Sequence, residues 1–122
     1  ARESVADLVD ANIKIRKGES KTVYVGINNK NNDELNYGMR FDAIENADGE
    51  RVISNTLDSW FKMAVPEDGW ILGSSLIDVR AVKIIIPRST KSGPYTFSFV
   101  VEDKGDITAP YDQKDLFIEV TG

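Results

Sequence analysis

The chain has no cysteine and no histidine among its 122 residues. Without cysteine there is no disulfide, no thiolate nucleophile and no zinc–cysteine site. Without histidine the commonest general base and the commonest metal ligand are gone as well. Asp, Glu, Lys, Ser and Tyr remain for chemistry, so the expectation is that this is not an enzyme. Long hydrophobic runs are missing too. The strongest, "IIIP" at 84–87, falls far short of the roughly 20 residues a membrane span needs. No basic–apolar–small leader opens the chain. It begins on Ala rather than Met, the mark of a processed or excised piece, so membrane attachment is expected only through an anchor missing from this sequence. Basic stripes are also absent. Fifteen Lys and Arg are scattered singly and the net charge is −5, which argues against nucleic acid and against an anionic membrane surface.

What is present is an ordinary globular balance, 41% hydrophobic and 29% charged. That is enough to bury one core without staples. Residues 1–12 are a lead-in segment or a first edge strand, with Val5, Leu8 and Val9 at weakly helical spacing but no cap for a longer helix. Residues 13–122 then form a single domain. Period-2 alternation starts at Ile13 and Ile15 and continues in "KTVYVGIN" (21–28) and "LNYGMRFDAI" (35–44). Asp48-Gly49 is a hairpin signal. "SWFKMAV" (59–65), "YTFSFVVE" (95–102) and "DLFIEV" (115–120) are further strands. In "SLIDVRAVKIIIP" (75–87) the apolar parity changes near Arg80-Ala81, which predicts a β-bulge or a strand crossing between sheets. Short alternating strands punctuated by turns, with no long helix, indicate an all-β fold: an antiparallel, immunoglobulin-like β-sandwich of roughly seven to nine strands.

Two segments carry a resemblance. "IRKGESKTVYVGINNKNN" (15–32) and "VKIIIPRSTKSGPYTFSFVVE" (82–102) resemble the opening and closing strands of immunoglobulin-like modules in prokaryotic, including archaeal, cell-surface and S-layer-associated proteins. The resemblance implies an extracytoplasmic, cell-surface location and a non-catalytic structural or binding role in a surface protein or appendage. It also implies a protein partner, adjacent domains or a homo-oligomer as the thing contacted. Residue physics agrees with the frame: Pro87, lacking an N–H, belongs at a strand end, and Gly93 can take a positive φ.

The candidate contact residues lie in the aromatic middle segment. Trp60, Phe61 and Trp70, with Asp68 beside them, are the binding candidates, because exposed aromatics stack on sugar rings or anchor proteins. Adjacent strand residues face opposite ways, so only one of Trp60 and Phe61 is expected in the core. Trp70 is the favoured contact residue. A carbohydrate-binding module is the alternative function. A small glycoside hydrolase using two of Asp58, Glu67, Asp68 and Asp78 ranks third. No cofactor or metal is expected. Ca²⁺ in the acidic loops around Glu102, Asp103 and Asp106 is the alternative weighed, and "ENADGE" (45–50) lacks the spacing of a calcium-binding loop. A self-made isopeptide bond would need a buried Lys21 or Lys83 beside an Asn.

Overall fold

Where alternation is strongest, strands form. The structure, a computed structural model, describes residues 6–30, 33–52, 55–63, 70–103 and 106–122. The strands are β1 (Ala6–Leu8), β2 (Asn12–Arg16), β3 (Ser20–Asn28), β4 (Leu35–Glu45), β5 (Phe61–Met63), β6 (Trp70–Leu72), β7 (Ile77–Ile85), β8 (Gly93–Asp103) and β9 (Asp106–Thr121). A 3₁₀ helix, Asn55–Trp60, precedes β5. One sheet runs β1-β3-β7-β5 and the other β2-β9-β8-β4-β6. The protein is therefore an all-β, immunoglobulin-like sandwich.

Odd residues of β3 and even residues of β7 meet odd residues of β4 and β8 between the sheets. Val25, Ile27, Val82 and Ile84 from one layer, and Phe97, Phe99, Leu116 and Ile118 from the other, are all but inaccessible. At about 25 cal/mol per Å² of apolar surface, this interior is the main force holding the layers together. Among the described residues seven aromatic rings pack in or against it: Tyr37, Phe41, Trp60, Phe61, Tyr95, Phe97 and Phe99. Phe41 stacks on Phe61 with ring centroids 4.2 Å apart, and Phe61 meets Phe97 edge to face at 4.9 Å.

Three local expectations are corrected. The pairing is antiparallel except at one edge, where β2 runs parallel to β9 from Asn12↔Phe117 to Arg16↔Thr121. The cause is the lead-in: β1 joins the four-stranded sheet, an Asx turn follows (Asn12 N–H to Asp10 Oδ1, 3.1 Å), and β2 crosses to the far edge of the other sheet. Second, β7 has no bulge. Its ladder with β3 is unbroken from Ser20↔Ile85 to Asn28↔Ile77. The parity change arises because Ile77 and Val79 point outward, while Asp78 and Arg80 occupy the inward positions and pair at 3.2 Å. Third, Trp60 ends the 3₁₀ helix instead of lying on a strand, so strict alternation does not separate it from Phe61. Both rings reach Phe97.

The turns obey their local chemistry. Gly49 has φ +76° and its N–H closes on the Asn46 carbonyl at 3.1 Å. Gly93 is the tightest position: φ is +140°, and an added Cβ would lie 2.8 Å from the Cβ of Ala47. Gly93→Ala should therefore cost about 2 kcal/mol, from an unfavoured backbone plus a steric clash. At this size that lowers Tm by roughly 5–10 °C, read by thermal denaturation. An unchanged Tm would mean that β4 and β8 adjust freely at this point.

Candidate interaction face

The two outward sheet faces differ in kind. On the five-stranded sheet the small residues Ser98 and Val100 are covered by longer charged neighbours and are 6% and 2% exposed. Arg40, opposite Val100, forms ion pairs with both Asp42 and Glu102. Asp115 and Ser98 are opposed across β8–β9, with Asp42 next in the row. Over β4 and β8 this face is charged and solvated; exposed apolar residues occur towards its edges, at Ile71 and Phe117.

The four-stranded sheet is the reverse. The outward positions of β3 are Thr22, Tyr24, Gly26 and Asn28, set against Lys83, Ala81, Val79 and Ile77 of β7. Tyr24 is 51% exposed, Val79 54% and Ile77 66%. Val9 continues the row beyond β1, its N–H donating to the Tyr24 carbonyl at 3.3 Å, and Leu76 stands at the rim; both are more than half exposed. A monomer seldom leaves so many large apolar side chains contiguous on one open face. Gly26 makes a shallow hollow at the centre, between Asp7 and Val79, a place where another chain can approach the backbone closely. The apolar field ends at a like-charge pair: Lys62 of β5 lies directly opposite Lys83 of β7. Such a pair is unfavourable in isolation, and neither lysine has an ion-pair partner among the described residues.

The sequence candidates are placed differently. Trp60 is only 3% exposed and lies edge-on to Tyr95, centroids 5.0 Å apart. Phe61 is half-buried and stacked on Phe41. These two are packing residues, because their rings are committed to the interior. Trp70 sits opposite Tyr37 in the β4–β6 register. Its side chain, like Asp68, lies outside the described residues, and so do Glu67 and the carboxyl of Asp58. Asp78, the remaining acid of the hydrolase alternative, is paired with Arg80. Lys21 and Lys83 are both exposed, so neither is the buried lysine an isopeptide needs. Among the described residues no three carboxylates converge. Burial pushes the Tyr95 phenol up, and its hydroxyl donates to the Lys91 carbonyl at 2.7 Å. The Lys91 ammonium, held up by its hydrogen bond to Asp48, closes the same corner. Sequence reasoning missed Tyr24, Ile77 and Val79. For Ile77 and Val79 the signal was present in the parity change of "LIDVRAV" (76–82), which reads equally as a bulge or as a strand crossing between sheets.

No protein-family model matches the sequence, and no curated protein matches it. Solved structures do. The chain superposes on domains 4 and 5 of the S-layer protein SbsC with a TM-score of 0.55 at 11% identity, covering 100% of this chain and 53% of that one. The SrpA adhesin of Streptococcus sanguinis gives 0.61 at 11% identity, covering 99% of this chain and 60% of the adhesin. A family 123 glycoside hydrolase of Clostridium perfringens gives 0.65 at 15% identity, covering 91% of this chain but 23% of the hydrolase. The chain thus spans about a quarter of that hydrolase and little more than half of the other two. The fold is shared; the sequence is not.

Proposed function

We propose that this domain is a non-catalytic structural or binding module at the cell surface, and that it docks a neighbouring protein through the outward face of its four-stranded sheet. The observation carrying this is the apolar field of Tyr24, Ile77 and Val79 on a rigid layer, set against the ion-paired face behind it. Burying such a field on a partner recovers hydrophobic free energy that a free monomer forgoes. The S-layer and adhesin sandwiches that the fold matches are consistent with a place outside the cytoplasm. The carbohydrate alternative is weakened because Trp60 and Phe61 are engaged in the core. The hydrolase alternative is weakened because Asp78 is held by Arg80.

The test places a photo-crosslinking residue at position 79 in the full-length protein, in cells, with position 89 as an exposed control. Position 79 should give a discrete adduct, position 89 should not, and protease added to intact cells should degrade the domain. No adduct from position 79, or full protection from external protease, would overturn the reading.

A further inference from the structure

The occupant of the apolar face can be read from the other side of the same molecule. On the outward face of the five-stranded sheet, Asn12 and Lys14 of β2, Pro94 of β8, and Phe117 and Glu119 of β9 line an open groove of about 280 Å³. Pockets for small ligands run from roughly 300 Å³ upward; this one lies at the lower edge of that range and has room for an aromatic side chain. Phe117, 45% exposed, is its apolar wall. Lys14 and Glu119 are partners in the β2–β9 register, so the groove carries one charge of each sign. Two residues along β9 from Phe117 stands Asp115, exposed and with no ion-pair partner among the described residues.

The four-stranded face carries the counterpart. Tyr24 is an exposed aromatic, and one outward row along the strands from it stands the Lys62–Lys83 pair. Outward neighbours on a strand are two residues apart, about 7 Å. Lys83, on the next strand and one row along, is therefore about 8–9 Å from Tyr24 on the diagonal, and Lys62 one strand further is about 12 Å away, while Asp115 stands about 7 Å along β9 from Phe117. The signs are opposite, and the nearer cation, Lys83, can reach the carboxylate when an aromatic fills the groove.

We propose that the occupant is a second copy of this chain: Tyr24 of one molecule enters the Phe117 groove of the next, and Lys62 and Lys83 meet Asp115. This rests on the docking-face reading above and names its partner. The two halves lie on opposite faces of the sandwich, so the contact is head to tail. Each copy engages two neighbours, and the assembly grows without stopping at a dimer.

Sedimentation velocity on the purified domain, from about 10 µM to about 1 mM, tests it in a concentration range suited to a small, partly polar contact. The expected result is a sedimentation coefficient that climbs with concentration without a plateau. Tyr24→Ala, the pair Lys62→Glu with Lys83→Glu, and Asp115→Lys are all exposed changes that leave the core alone. Each should weaken association by about tenfold or more, since like charges or an empty groove now meet. Mixing the lysine-reversed and Asp115→Lys proteins restores opposite charges at both alternating contacts, and association should return to within about threefold of wild type. A monomer throughout the range overturns the proposal. So does association that ignores these substitutions, or a mixture that stays monomeric. If the position-79 adduct then contains a different protein, the docking face stands and only the second copy falls.

Discussion

Trp60→Ala should be among the most damaging single substitutions in this domain. It removes a ring that is 3% exposed and packed against Tyr95 and Phe97 at centroid distances of 5.0 and 5.6 Å. Emptying such a site forfeits transfer free energy and leaves a cavity that the surrounding sheets cannot close, for a loss of about 3–5 kcal/mol. Total stabilities lie at about 5–15 kcal/mol, so the variant keeps only part of its cooperative transition. Trp60→Phe, which retains an aromatic face for the edge contacts, should lose much less, about 1–2 kcal/mol. Urea denaturation of the three proteins measures the difference. Near-wild-type stability for Trp60→Ala would return this residue to the list of surface contacts, and sugar binding with it.

The place of Trp60 shows what the sequence makes legible. Alternation over long strands is hard to misread: "LNYGMRF" (35–41) and "YTFSFVV" (95–101) place Tyr37, Met39, Phe41, Phe97, Phe99 and Val101 in the core, where the structure has them. A period-2 pattern is a property of the backbone itself, and a one-residue slip would expose a whole face. That Trp60 and Phe61 both pack on Phe97, where alternation expects only one of them inside, was not legible because a 3₁₀ helix ends at Trp60, and three residues per turn puts side chains elsewhere than a strand would. The exposed apolar face was hidden for a different reason. In "IDVRA" (77–81) apolar residues face solvent and charged ones face inward at the end of the sandwich, so the usual assignment of hydrophobic to interior points the wrong way. Where a surface is apolar for a partner's sake, local pattern alone cannot distinguish it from core. Register can: Gly26↔Val79 and Tyr24↔Ala81 fix the face unambiguously.

Asn29 is the other residue whose weight the sequence conceals. It sits in "NNKNN" (28–32), which reads as a polar turn, yet it is fully buried. Its side-chain amide donates to the carbonyls of Asp33, Leu72 and Gly73 at 2.8, 3.0 and 3.1 Å. Its backbone N–H donates to the Leu76 carbonyl at 2.9 Å. One residue thus ties the end of β3 in one sheet to the end of β6 in the other, and fixes the loop from which Ile77 enters the apolar face. Asn29→Ala would leave buried carbonyls unpaired and cost about 2–3 kcal/mol at any pH between 4 and 8. Asn29→Asp is isosteric but replaces the donor by a carboxylate aimed at three oxygens. At pH 7 it should cost more than the alanine variant, about 4 kcal/mol or above. Burial and the facing carbonyls favour the neutral acid, which raises its folded-state pKa above the unfolded value of about 3.9. Such a group loses stability as pH rises through the folded value, so the penalty should shrink on acidification to pH 4. Urea melts of the three proteins at pH 4 and pH 7, each compared with wild type at the same pH, decide it. Equal losses for Ala and Asp at both pH values would show that the amide does not hold these carbonyls. The same loosening predicts a functional effect at a distance: with the 73–76 loop released, Leu76 and Ile77 lose their fixed positions, and association through the four-stranded face should weaken although no contact residue has changed.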